Sequence, residues 1–427
     1  MKIAHIGDEH IRDKGAEEIQ RCLDFTVARI REEAPDLIIS AGDMFDSQDI
    51  RAGSQAALMA IRFVSKLADI APVAMVLGTP SHDGKTPEIF RHIQGLYEIY
   101  VATIPRQTYL QEGWIFYERP TQEGDSDHCP IDAIITLIPT VTKQYFHTSS
   151  GIEDADREIA QAMTGILAGF GAQAAQYPDV PHILVWHGGV SGARLPLGHV
   201  RSGMTIELST DQMMMSGCDI GLMGHIHQPQ QIGDRFFYSG PLYPVKVDEQ
   251  ECGFWIHEQI GVSYPDTDGA VKDDGPVWNH RYIPTPFTRT VRFKEDFTVD
   301  GVPPEYSDQE FLDTSDGPGP GDHQGENIRI EFTAWQDEAG TINKAGIEKR
   351  FREAGAESVD IRINAIPRVT VRADSVLEAE TLKDEFAEMA KLRGEKIDPE
   401  VLVMADMLEH LPADELLKGI TEHRWKS

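Results

Sequence analysis

The chain has 427 residues, too many for one ordinary hydrophobic core and enough for two domains with a small extension. Apolar residues make up 41% of it, and 70 Asp and Glu against 39 Lys and Arg leave a formal charge of -31, which opposes unassisted approach to a polyanion such as DNA. Cys22, Cys129, Cys218 and Cys252 are scattered without a Cys-x-x-Cys pair, against a thiolate zinc site or disulfide framework; no stretch reads as a leader or bilayer span, so a cytoplasmic location and no membrane contact are expected.

The first ten residues run from an apolar strand into Gly7, Asp8, Glu9 and His10, and Asp8 and His10, on alternate positions, face the same way from extended backbone. Ile19, Leu23, Val27 and Ile30 then recur at helical spacing, and Pro35 closes that helix before the apolar run Leu37-Ile38-Ile39. This second strand empties into Gly42-Asp43-Met44-Phe45-Asp46. A helix with Ala57, Ile61, Val64 and Leu67 on one face follows, and a third strand over 72–77 ends in Gly78-Thr79-Pro80-Ser81-His82-Asp83. Such a β-α-β succession predicts a parallel sheet, and open α/β sheets build their sites at the carboxyl ends of the strands.

Farther along, 123–128 reads as a polar loop, 131–138 as a buried strand and 154–170 as a helix. The apolar run 182–187 finishes on His187 beside Gly188-Gly189, and 219–223 runs into Gly224-His225-Ile226-His227. Segments 236–238 and 253–256 predict strands joined by short turns, hence an antiparallel second half, with a polar loop over 266–276. The expected domains are 1–285, then a smaller α+β module over 286–395, then a helical segment over 396–427.

In the second module the alternation at 288–293 and 328–332, a helix over 345–354, a strand over 359–363 and a helix over 376–392 enclose a loop at 313–326 rich in Asp, Gly and Pro. Its Lys344, Lys349, Arg350, Arg352, Arg362, Arg368 and Arg372 form the most basic local stretch of an acidic chain. The tail carries Val401, Leu402, Met404, Leu408 and Leu411, then Leu416, Leu417 and Ile420 after Pro412. Packing on its own domain and docking onto a partner's helix both fit this pattern.

The strand ends together present Asp8, His10, Asp43, His82, His187, His225 and His227, with Asp46 and Ser81 adjacent. Mixed imidazole and carboxylate donors suit Mn²⁺, Fe²⁺ or Zn²⁺, and two such ions can share one carboxylate. His5, His92, His147, His182 and His280 have no comparable spacing and read as structural, and Met213, Met214 and Met215 as core filling or a helix cap.

Gly-Asp-Glu-His, Gly-Asp-Met-Phe-Asp, a Gly-x-x-x-His-Asp variant, His-Gly-Gly and Gly-His-Ile-His, in that order, resemble the calcineurin-like metallophosphoesterase superfamily over about residues 1–245. The module and helices that follow resemble its SbcD-type branch, nuclease subunits of bacterial and phage double-strand-break repair. The resemblance implies an α/β fold, a metallophosphoesterase β-sandwich flanked by helices, with a smaller α+β cap domain and C-terminal helices. It implies two divalent metal ions, Mn²⁺ foremost, with Mg²⁺, Fe²⁺ or Zn²⁺ as alternatives. One would be held by Asp8, His10, Asp43 and His227, the other by Asp43, His187, His225 and the residue before His82. His82, oriented by Asp46, would act on the transition state or the leaving oxygen.

Where the family reads Gly-Asn-His, this chain has Gly78-Thr79-Pro80-Ser81-His82. The hydroxyl of Ser81 is the expected substitute for the amide, with Thr79 or water as alternatives. The implied activity is a metal-dependent DNA exonuclease and endonuclease. The implied partners are DNA, an SbcC-type SMC-like ATPase gripped by the C-terminal helices, and a second copy of the chain through 57–67 and 89–96. A phosphodiesterase or phosphatase acting on nucleotides or phosphoproteins, favoured by the charge, and a non-catalytic scaffold are the rival expectations.

Overall fold

Helix Ala16–Glu33 buries Ile19, Leu23, Val27 and Ile30, the residues its spacing picks out, and ends where Ala34 turns left-handed (φ 47°) ahead of Pro35. Helix Gln55–Ala68 starts at Ser54, whose hydroxyl accepts the Ala57 N–H at 3.1 Å and satisfies one of the free donors of the first turn. The computed structural model describes residues 1–116, 131–141, 152–195, 206–247, 249–265, 271–307, 321–368 and 379–410. The loop expected at 123–128, Cys129, His147, Arg372, residues 313–320 and the tail from Leu411 onward lie outside the described residues.

Two sheets face each other. The first runs, edge to edge, Val271–Pro284, Gly253–Pro265, Lys2–Ile6, Leu37–Ser40, Val73–Val76 and Ile99–Ala102. Its last four strands are parallel, and Lys2–Ile6 pairs antiparallel with Gly253–Pro265, Ala4 opposite Ile256. The second runs Gln230–Ile232, Phe236–Tyr238, Ile220–Gly224, His182–His187, Ala133–Ile138, Arg106–Gln111 and Trp114–Phe116. Between them a buried apolar layer takes alternate residues of each strand, among them Ile3, Leu37, Ile39 and Ala74 from the first sheet and Ile135, Ile183, Val185 and Leu222 from the second. The opposite face of the first sheet packs on Ile19, Leu23, Phe63 and Val64 of the two early helices, and that of the second on Ile159, Met163 and Leu167 of helix Ile152–Ala174. The result is a helix, sheet, sheet, helix layering.

Two expectations are corrected. Phe236–Tyr238 runs parallel to Ile220–Gly224, and Ile220–Gly224 parallel to His182–His187, so the second half is mixed rather than antiparallel. Residues 271–276, expected in a polar loop, continue strand Val271–Pro284, which pairs with Gly253–Pro265 from Gly253 opposite Pro284 to Pro265 opposite Val271. Twelve residue pairs, with one register shift between Gly261 and Ser263, outweigh the poor strand propensity of the Asp- and Gly-rich segment.

The chain divides into two compact units, the first made of residues 1–293 with 318–329 and 350–360, the second of the remainder. A third sheet is ordered Thr290–Asp296, Asn327–Trp335 and Ser358–Ile366, and Asn327–Trp335 alternates buried and half-buried residues strictly. The second unit holds helices Leu382–Arg393 and Pro399–His410, the former capped by Thr381, with Leu382 N–H donating to Glu409 Oε2 at 2.9 Å. Val403 and Leu408 on the last described helix are 53% and 59% exposed. Among the described residues no helix is long and apolar enough to cross a membrane.

Candidate metal centre

Side chains from five strand ends converge at one edge of the sandwich in the first unit. Asp8 and His10 follow Lys2–Ile6, Asp43 follows Leu37–Ser40, Thr79 and His82 follow Val73–Val76, His187 ends its strand, and His225 and His227 follow Ile220–Gly224. Three groups of donor atoms, each within 4.8 Å of one another, result: Asp8, His10 and His227; Asp43, His187 and His225; and His10, Asp46 and His82. Among them are all the residues singled out at strand ends except Ser81.

The backbone bends hard to present them. Asp8 (φ 54°), His10 (φ 42°), Asp43 (φ 58°) and His225 (φ 97°) are left-handed, four of the six such non-glycine residues among those described. Asp and His tolerate this conformation better than most residues, yet it still costs about 1 kcal/mol or more at each, and such strain gathers at functional sites. Two loops are knotted together by backbone bonds: Asp8 N–H donates to Gly42 O and His10 N–H to Asp43 O, each at 2.9 Å. Glycine is needed at Gly78, where a Cβ would lie 2.1 Å from both N and Oδ1 of Asp43.

Three of the imidazoles are aimed by partners of their own. His187 Nδ1 donates to Ala41 O at 2.6 Å and presents Nε2 at 3.3 Å from Asp43 Oδ2. His227 Nδ1 donates to Glu249 Oε1 at 2.6 Å, and the other Glu249 oxygen accepts the N–H groups of Val245 and Lys246 at 2.7 and 3.1 Å. His82 Nδ1 donates to the backbone carbonyl of Asp46 at 2.9 Å, so Asp46 orients this ring through its main chain rather than its carboxylate. The Asp46 carboxylate lies 3.8 Å from His10 Nδ1 and 3.4 Å from Arg12 Nη1.

Asp83, not singled out by the sequence as a site residue, is the bracket between two of these loops. It is fully buried; Oδ2 accepts the N–H groups of Gly78 and Asp43 at 2.8 and 3.1 Å, and Oδ1 that of Phe45 at 3.1 Å. Burial and then the charge of Asp43 push its carboxyl up to about 7 against the pull of those donors. Glu9, between Asp8 and His10, turns into the core; burial raises its carboxyl well above the usual range, and Ser40 donates to Oε1 at 2.9 Å.

Thr79 and Ser81 differ sharply. The Thr79 hydroxyl lies 3.3 Å from Asp43 Oδ2 and 3.5 Å from His187 Nε2, inside the second group. Ser81 is exposed, and its backbone carbonyl accepts the Gln48 N–H at 3.0 Å. The turn in which His82 N–H and Asp83 N–H both return to Thr79 O carries Ser81 outward, so Thr79 and not Ser81 stands where the expected neutral oxygen would be.

The donor set fits cations. Nε2 of His10 and Nε2 of His227 are 3.0 Å apart, and with His227 Nδ1 committed to Glu249 the Nε2 of a neutral His227 turns a lone pair into the site. Burial and the neighbouring His227 hold His10 well below its ordinary value, whereas at His227 burial is outweighed by the bond to Glu249 together with the charges of Asp8, Glu249 and Asp43, which raise it. At His187 burial is likewise outweighed by Asp43, to about 9, and at Asp43 burial is outweighed by His187, so the carboxyl is depressed. Asp8 Oδ2 and His10 Nδ1 are buried without a hydrogen-bond partner among the described residues. Carboxylates, lone-pair nitrogens and an Asp43 oxygen near two imidazoles are donors that suit a borderline dication.

Residues read as structural behave so. His182 bonds Thr136 Oγ1 at 2.7 Å inside the core, and His5, His257 and His280 cluster in the sandwich interior. Of the three consecutive methionines Met213 is buried, whereas Met214 and Met215, 37% and 49% exposed, do not fill the core.

The calcineurin-like phosphoesterase family model matches residues 1–229, more than half of the 427. Among solved structures, GAP50, the anchor in the inner membrane complex of Plasmodium, is 13% identical with a TM-score of 0.36, over 60% of this chain and 80% of its own.

Proposed function

The chain belongs to the calcineurin-like phosphoesterase family, and we propose that it is a DNA nuclease within it, hydrolysing phosphodiester bonds and working with an SbcC-type ATPase. The observation that carries the hydrolytic part is the convergence on Asp43: His10 Nε2 and His187 Nε2 lie 3.7 and 3.3 Å from the same oxygen, Oδ2, from opposite groups. Asp8, His10, Asp43 and His227 would hold one ion, and Asp43, Thr79, His187 and His225 the other. Two bound divalent cations, Mn²⁺ first among them, would acidify a water and neutralise charge on the phosphate.

The chain's own residues supply the rest. Glu249 and Ala41 O fix the rings of His227 and His187 so that Nε2 faces inward. Asp83 fixes the loops of Asp43 and Gly78, so the site is assembled before substrate arrives. His82, with Nδ1 committed to Asp46 O, keeps Nε2 to bond the phosphate or give a proton to the leaving oxygen.

The nuclease assignment rests on domain order and on the local basic stretch over 344–372, although Arg368 there pairs with Asp337 and Glu338. A charge of -31 supports the second reading, hydrolysis of nucleotides or phosphoproteins. Turnover of linear duplex DNA against small phosphodiesters, with Mn²⁺ or Mg²⁺ and with or without the ATPase, decides between them. Preferred cleavage of duplex DNA with Mn²⁺ supports the first, and hydrolysis of small esters alone supports the second. Deleting 398–427 is expected to weaken ATPase association while small-diester turnover persists.

A further inference from the structure

Arg12 stands two residues beyond His10, at the outer corner of the centre, where Ile11 bridges to Phe45. Its guanidinium carbon lies 5.6 Å from the centroid of the Tyr243 ring, and Nη1 is 3.4 Å from Asp46 Oδ1. Tyr243 is itself fastened, its hydroxyl donating to the His10 carbonyl. The side chain is 25% exposed. A guanidinium carries five N–H donors, and among the described residues Asp46, by one long bond, and the ring face of Tyr243 are its partners. An aromatic face and a carboxylate therefore hold a permanent cation in place while most of its donors stay uncommitted.

Its position fixes what it meets. Arg12 and His82 share Asp46, the one through the carboxylate and the other through the main-chain carbonyl. If His82 serves the leaving oxygen, Arg12 lies on the leaving-group side, outside the two groups that surround Asp43. The geometry points to Arg12 as a phosphate clamp for a polynucleotide, gripping the phosphate next to the one being cleaved, on the side of the leaving oxygen. In a chain of charge -31 such a fixed cation at the mouth of the centre gives a second phosphate a place to land. A nucleoside monophosphate or a phosphoprotein side chain has no second phosphate there to grip. The inference rests on the nuclease reading and narrows it to substrates with consecutive phosphodiesters.

The test compares wild type, Arg12→Ala and Arg12→Lys, loaded with Mn²⁺, on a short single-stranded oligonucleotide and on a small chromogenic diester with one phosphorus. Arg12→Ala is expected to lower kcat/KM for the oligonucleotide at least tenfold more than for the small diester, mainly through KM, with Mn²⁺ content unchanged. The slope of log affinity against log salt should fall by about 1. Arg12→Lys, which keeps the charge without the planar fork, should restore part of the loss. Equal losses on both substrates would overturn the clamp and make Arg12 a support for Asp46, and equal cleavage of the oligonucleotide by wild type and Arg12→Ala would also overturn it, leaving the nuclease reading intact. If the wild type hydrolyses the small diester but neither binds nor cleaves the oligonucleotide, the clamp and the nuclease reading fall together.

Discussion

Thr79 engages both carboxylate oxygens of Asp43, its backbone N–H donating to Oδ1 and its hydroxyl to Oδ2 at 3.3 Å. The same hydroxyl is 3.5 Å from His187 Nε2, so it belongs to the second donor group. Thr79→Val keeps the shape and the backbone bond and removes only this oxygen. The second of two Mn²⁺ ions is expected to bind about tenfold more weakly, the first unchanged, in calorimetric titration. Ser81→Ala, at an exposed position, should change neither; a larger effect at Ser81 than at Thr79 would reverse the assignment.

Glu249 holds His227 from behind with one oxygen and a backbone turn with the other. Glu249→Gln preserves size but offers one acceptor where two are used and removes the charge behind the imidazole. Affinity at the site of Asp8, His10 and His227 should fall 10- to 100-fold. Inductively coupled plasma measurement of metal retained after dialysis reads this directly, and full retention would show that the ring needs no such support.

The acid stability of the fold should depend on imidazoles away from the centre. Burial lowers His5 to about 3, lowers His257 well below its ordinary value with His5 and His280 adding to it, and lowers His280. For His5, the unfolded chain takes up a proton near pH 6.5 whereas the folded chain resists until about 3, so stability is full above 6.5 and declines as the pH falls between these values. His5→Leu should flatten that limb by about 1.4 kcal/mol per pH unit, the slope of one proton. Denaturant unfolding of both proteins from pH 7 to pH 4 gives the comparison; parallel curves would mean that His5 ionises freely in the fold.

Much of the centre was legible because its donors stand at the ends of apolar runs, where the parallel order Lys2–Ile6, Leu37–Ser40, Val73–Val76 brings Asp8, Asp43 and His82 to one edge. What was hidden depends on three-dimensional approach. Asp83 acts by accepting three backbone N–H groups from two loops, and no side-chain pattern announces that. Glu249 reaches His227 from 22 positions farther along the chain, in an unpatterned segment. Ser81 misled by adjacency to His82, since the turn returning to Thr79 O decides which hydroxyl faces inward. The continuous strand Val271–Pro284 was hidden by its Asp and Gly, which weaken propensity but not pairing with a long neighbour.

The central claim is that Asp43 bridges a pair of cations. Electron paramagnetic resonance of the protein reconstituted with two equivalents of Mn²⁺ tests it most directly, because ions ~3.5–4 Å apart across a shared carboxylate are magnetically coupled. The account predicts two ions per chain with a coupled spectrum that collapses to that of isolated Mn²⁺ in Asp43→Ala. A wild-type spectrum of isolated ions only, at full loading, would contradict it.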